Sequence, residues 1–147
     1  MLVRDVMTTS PTVCKPTDRL DRVAKLMLDH DCGVIPVCEN MRVVGVITDR
    51  DIACRAVASG KTPAAVTVSE AMSKPVFTVR EEENVQAAID TMKDKQVRRL
   101  PVVNAEGVVV GIVAPSDLAP TFASMNVADF LLAVSYWTRP KHAVSAA

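Results

Sequence analysis

The chain has no excess of charge of either sign, no apolar run long enough to cross a bilayer, no paired-cysteine motif and only two histidines. Lys plus Arg equals Asp plus Glu at 17 each, which excludes the broad basic field that neutralises nucleic-acid phosphates. No segment approaches the roughly 20 apolar residues of a membrane-spanning helix. The opening Met1-Leu-Val-Arg-Asp has neither the basic stretch nor the apolar run of a secretory signal, so the expected compartment is the cytoplasm. Cys14, Cys32, Cys38 and Cys54 are irregularly spaced, against a disulfide framework or a standard zinc site; they are expected to be mostly buried small apolar residues. His30 has no second histidine to complete a ligand set, and His142 sits in a tail expected to be loose from Pro140 to Ala147. No nucleophile, base and acid assemble into a catalytic group, so no enzyme is expected.

What is present is a text repeated. Met7, Met27 and Pro36 recur as Met72, Met92 and Pro101 at a spacing of 65, and Gly45 and Asp51 recur as Gly111 and Asp117 at 66. A unit this short cannot bury its apolar face alone and must pack against its twin, which puts candidate ligand crevices between the copies. With 147 residues and 49% apolar content, the pair makes one module with a proper core.

Leu20, Val23, Ala24 and Met27 fall on one helical face, and Val85, Ala88, Ile89 and Met92 repeat the pattern one period later. These helices are expected to begin near Thr17 or Asp18 and near Glu82 or Asn84. Val34-Ile35-Pro36-Val37 and Leu100-Pro101-Val102-Val103 each pair with a second run ending in Gly45-Val46-Ile47 or Gly111-Ile112-Val113. The hairpin turns fall at Glu39-Asn40 and at Asn104-Ala105-Glu106-Gly107, whose unequal lengths explain the step from 65 to 66. Pro36 and Pro101 lack an N–H and belong at a strand start, an edge or a bulge. Second helices are predicted at about residues 50–59 and 116–124, and short leading strands at about 12–14 and 77–79. The fold class is therefore α/β (α+β), with two β-α-β-β-α repeats over 3–62 and 68–124, a connector at 63–67, and a C-terminal helix and tail over 125–147. In that tail Val127, Phe130, Leu131 and Val134 form an apolar stripe up to Tyr136 and Trp137, suited either to the chain's own surface or to a second subunit.

The segments Val34-Ile35-Pro36-Val37 with Gly45-Val46-Ile47-Thr48-Asp49-Arg50-Asp51-Ile52, and Arg98-Arg99-Leu100-Pro101-Val102 with Gly111-Ile112-Val113-Ala114-Pro115-Ser116-Asp117-Leu118, resemble tandem cystathionine-β-synthase (CBS) domains, the Bateman module. The resemblance covers nearly all of 3–124. It implies a pseudo-twofold regulatory module that binds an adenosyl ligand such as AMP, ADP or ATP in clefts between the copies, requires no cofactor, and reports energy or metabolite state. It also implies a homodimer and an unidentified protein target. The family's Ser or Thr followed three residues on by Asp maps onto Thr48 and Asp51 in the first copy, and onto Asp117 alone in the second.

Where a strand ends and a helix begins, orphan amides and the Thr48 hydroxyl can hold a phosphate, while Asp51 suits the two neutral hydroxyls of a ribose. Val13 and Cys14 with Val34, Ile35 and Pro36 are expected to cover the base. Thr48-x-x-Asp51 is equally a plain capping box, and Arg50, flanked by two aspartates, fits either an ion pair or a phosphate contact. A second, weaker site is expected at Asp117 and Ser116 with Arg98, Arg99, Leu100 and Pro101. There Ala114 has removed the hydroxyl, and the arginines suit either phosphate or the solvated strand edge. Two other readings stay open: a ligand-free interaction scaffold, and a thiol or metal sensor built on Cys14, Cys38 and His30.

Overall fold

A computed structural model describes residues 1–135; the expectations for Tyr136, Trp137, His142 and the 140–147 tail lie outside them. The order is β1 (Thr8–Thr9), α1 (Leu20–Asp29), β2 (Val34–Glu39), β3 (Arg42–Thr48), α2 (Asp49–Ile52), α3 (Val68–Ala71), β4 (Val79–Arg80), α4 (Val85–Lys95), β5 (Leu100–Val103), β6 (Val109–Val113) and α5 (Val127–Ser135). Mixed helix and sheet in two repeats is the expected class.

The two hairpins form as read, β2 with β3 and β5 with β6. Each carries a bulge just after its proline, at Val37/Cys38 and Val102/Val103, where a missing N–H is tolerated. The first turn is Asn40-Met41, one residue later than expected, with φ of 49° and 64° at its two residues. Both values suit the right-handed twist of a two-residue hairpin.

The sheets hold what the repeat pattern does not reveal. The four-stranded sheet runs β1-β6-β5-β4, so Thr8–Thr9, ahead of the first repeat's helix, pairs with the second repeat's hairpin. Ser73, 65 residues after Thr8, bridges Val46 on β3 in the first repeat. Cys14 bridges Val37 as β4 pairs with β5, so both sheets share one order. Each repeat therefore borrows its outer strand from the segment leading into the other.

The recurring Met and Gly residues are the two halves of this exchange. A Cβ on Gly111 would lie 2.5 Å from Met7 Sδ and 2.9 Å from the Thr8 carbonyl; on Gly45 it would lie 2.8 Å from Met72 Sδ. Only glycine lets the crossing segment lie this close. The cores follow the exchange. Val3, Val6 and Met7 pack with Ile89, Met92, Leu100 and Val113, whereas Val66, Val68, Ala71 and Met72 pack with Leu20, Val23, Ile35 and Ile47. Residues 63–67 are thus more than a spacer, since Val66 is buried in the first core.

α1 starts at Leu20 with Arg19 as N-cap, two residues past Asp18. The Asp18 carboxylate instead accepts the Lys15 N–H and pairs with Arg22, which spends it on the preceding turn. α4 starts after Asn84, whose side chain accepts the Gln86 N–H. The second helices are not simple α-helices. After α2 the chain widens into a π-helix over Ala53–Val57, while its counterpart, Pro115–Ser124, is a 3-10 helix. Pro120 removes an amide that an α-helix there needs, whereas Pro115 stands at the first position, where no intrahelical bond is lost. α5 lays Phe130 and Val134 into the second core, Phe130 meeting Phe122 at 5.9 Å between ring centres. Leu131 and Leu132 remain 46% and 55% exposed.

Candidate functional site

A cleft of about 410 Å³ opens where β3 runs into α2, faced by the Ser73–Phe77 segment and by Gln96–Arg99 at the end of α4. It lies between the repeats. Of the residues named from sequence, it gathers Thr48, Arg50, Asp51, Val34, Arg98 and Arg99. Cys14 and Ile35 belong to the first core, Pro36 is buried in β2, and Val13 does not line the cleft.

The capping box is real. Asp51 N–H donates to Thr48 Oγ1 and Thr48 N–H donates to Asp51 Oδ2, both at 3.0 Å. Asp51 is buried, 8% exposed, and also accepts the Ser73 hydroxyl at 3.2 Å on each oxygen. Arg55 Nε stands 3.8 Å from Asp51 Oδ1. The π-turn aims Arg55 so that its Nη1 also donates to the carbonyls of Ala71 and Met72 at 3.0 and 2.9 Å. A cap serving only its own helix would need neither partner.

The expected orphan amides are not free. Asp49 N–H donates to the Gly33 carbonyl (3.0 Å), Arg50 N–H to Asp49 Oδ1 (2.8 Å) and Asp51 N–H to Thr48 Oγ1. An anion in this cleft therefore depends on side chains: the Thr48 hydroxyl proton and the guanidiniums of Arg50, Arg98 and Arg99. Arg99 Nη1 donates to the Arg98 carbonyl at 2.9 Å, which ties one arginine at the rim.

The apolar wall is Val34, Val46, Pro75, Val76, Phe77 and Val97. Sequence reasoning missed most of it, together with Ser73 and Arg55. The signal available was Phe77, one of only three phenylalanines, two residues after Pro75 in the segment that leads into the second repeat. Lys95 Nζ lies 5.6 Å from the Phe77 ring centre.

The second copy offers less. Asp117 Oδ2 accepts the Ala114 N–H at 2.8 Å, Ser116 is exposed, and Leu100 and Pro101 are buried in β5. Arg98 and Arg99, assigned to that side from the sequence, line the first cleft.

The cysteines divide. Burial pushes the Cys14 thiol up to about 12, with Asp18 and Cys38 adding to the rise, and pushes Cys38 up to about 11. Both are protonated near neutrality, and thiols are poor nucleophiles and metal ligands in that form. Cys54 is exposed and Cys32 partly so, contrary to the expectation for those two. No group of three or more His, Cys, Asp or Glu among the described residues is placed to hold a metal ion, and none of their helices is long and apolar enough to cross a membrane.

The CBS domain family profile matches twice, over residues 3–56 and 68–123. The chain belongs to the CBS-domain family as a tandem pair. Hypoxic response protein 1 of Mycobacterium tuberculosis is 32% identical over 132 residues, 89% of this chain and 92% of that one. Its crystal structure, with two coordinated zinc ions, superposes with a TM-score of 0.75 at 33% identity, covering 82% of this chain and 98% of that one. The CBS pair of MJ0100, in complex with 5′-methylthioadenosine and S-adenosyl-L-methionine, is 31% identical with a TM-score of 0.73, covering 84% and 96%. CBSX2 of Arabidopsis thaliana in complex with AMP is 26% identical with a TM-score of 0.70, covering 83% and 96%. An uncharacterized protein of Methanopyrus kandleri, 40% identical over 116 residues, is matched over 78% of this chain and 57% of its own length.

Proposed function

We propose that this chain is a regulatory module that binds an adenine nucleotide or related adenosyl ligand in the cleft beside Thr48 and Asp51. The observation that carries the reading is the set of groups that line that cleft. Apolar Val34, Val46, Val76 and Val97 and the Phe77 ring line it together with the buried Asp51 carboxylate, the Thr48 hydroxyl and the guanidiniums of Arg98 and Arg99. An adenine ring fits against Val34, Val76 and Phe77, a ribose on Asp51, and phosphate between the Thr48 hydroxyl and Arg98 and Arg99. The cleft's size is within the roughly 300–1,000 Å³ of small-molecule sites. Related CBS pairs hold AMP, 5′-methylthioadenosine and S-adenosyl-L-methionine. Occupancy acts by favouring one arrangement of the repeats over another, to the extent of its differential affinity.

Thermal melts against AMP, ADP, ATP, 5′-methylthioadenosine and S-adenosyl-L-methionine test this. A ligand at 100 times its Kd stabilises by about 2.7 kcal/mol, a rise of several degrees. A melt unmoved by all of them supports the interaction-scaffold reading instead. The zinc of the mycobacterial relative gives the metal-sensor reading its one support, and the protonated Cys14 and Cys38 weigh against it.

A further inference from the structure

We propose that Ser73 is a plug on the first cleft's carboxylate: its hydroxyl holds the acceptor positions that a ligand's two vicinal hydroxyls need, and binding turns it aside. The inference rests on the nucleotide reading.

A carboxylate offers about four acceptor sites. On Asp51 the Thr48 N–H takes one, and the Ser73 hydroxyl lies 3.2 Å from both oxygens, spanning the pair. Arg55 Nε faces Oδ1 from 3.8 Å. A ribose diol reaching for both oxygens therefore meets a carboxylate already engaged.

The three partners differ in their freedom to yield. The Thr48 N–H belongs to the strand-to-helix turn and is returned by a reciprocal bond. Arg55 is pinned by its two bonds to the carbonyls of Ala71 and Met72. Ser73 is fixed at its backbone, where its N–H donates to the Val46 carbonyl (2.8 Å) and its carbonyl accepts the Val46 N–H (3.3 Å). Its hydroxyl hangs on one rotatable bond at the cleft wall, so that group gives way.

The plug is confined to one cleft. Thr8 holds the equivalent place on the other side, yet Asp117 accepts a side-chain hydrogen bond only from the Ala114 N–H among the described residues. The first cleft thus discriminates between ligands by what they offer Asp51 in exchange. A diol replaces the lost bond with two; a ligand without hydroxyls leaves Ser73 in place.

Calorimetric titration of the wild-type protein, Ser73→Ala and Ser73→Thr with AMP and with 2′,3′-dideoxy-AMP tests this. Removing the competing hydroxyl should tighten AMP about three- to tenfold, the net scale of one ordinary hydrogen bond. The dideoxy compound should bind wild type and Ser73→Ala alike, and Ser73→Thr should return AMP to wild-type affinity. If AMP binds Ser73→Ala no more tightly than wild type, or both compounds shift together, Ser73 is a ligand contact or a purely structural residue and the plug is wrong. If neither compound binds the wild-type protein, the nucleotide reading itself falls and takes the plug with it.

Discussion

Asp51→Ala is expected to lose nucleotide affinity by about 10- to 100-fold, and unfolding free energy by about 1–3 kcal/mol as well. The double effect follows from its bonds. The carboxylate closes the cap with Thr48, holds the Ser73 hydroxyl and faces Arg55, so the substitution leaves the Thr48 N–H and Ser73 without their acceptor. A residue that served only as a cap would show the stability loss alone. Asp51→Asn separates the two roles, because an amide oxygen still accepts the Thr48 N–H but removes the charge that favours two ribose hydroxyls. It should recover most of the stability while binding stays weak. Chemical denaturation and calorimetry on the same preparations give both numbers.

Deleting residues 1–9 is expected to loosen the second repeat rather than the first, by about 3–5 kcal/mol. Val3 is fully buried in the second core, its N–H donates to the Glu83 carbonyl, the Val85 N–H donates to the Met1 carbonyl, and β1 supplies an edge of the second sheet. All of these go together. Amide hydrogen exchange should then accelerate through Leu100–Val113 while the β2–β3 hairpin keeps its protection. If each repeat folded with its own leader, the loss would appear in the first repeat instead.

The two hairpins, the two long helices and their common period were legible because periodicity records burial, and burial is what those elements share. The exchange of leaders was not. A period shows that Met7 and Met72 are equivalent and that Gly45 and Gly111 are equivalent, but it cannot say that Met7 lies on Gly111 rather than on Gly45. The departure from an α-helix over Pro115–Ser124 was readable in principle from Pro120 in its interior, outvoted by the resemblance between copies.

The site shows the same division. Thr48 and Asp51 were legible because their chemistry is local: a strand end, a helix start and three residues of spacing. Arg98 and Arg99 were read as charges near a phosphate, which fits the cleft they line, but on the wrong copy's side, because the end of α4 reaches across to β3. Ser73 and Arg55 act through contacts 22 and 16 residues away in the chain, and Phe77 by lining the cleft from another segment; no local pattern marks such partners. The free amides expected at α2 were lost to Gly33, Asp49 and Thr48, a competition that only the packed structure decides.

The most direct measurement is a titration of the isotopically labelled protein with AMP, followed by backbone amide shifts. The account predicts saturable shifts at Thr48, Asp51, Ser73, Phe77 and Val97–Arg99, with the residues around Asp117 responding later or not at all. Saturable shifts centred on Asp117, or a spectrum unchanged by AMP, would contradict it.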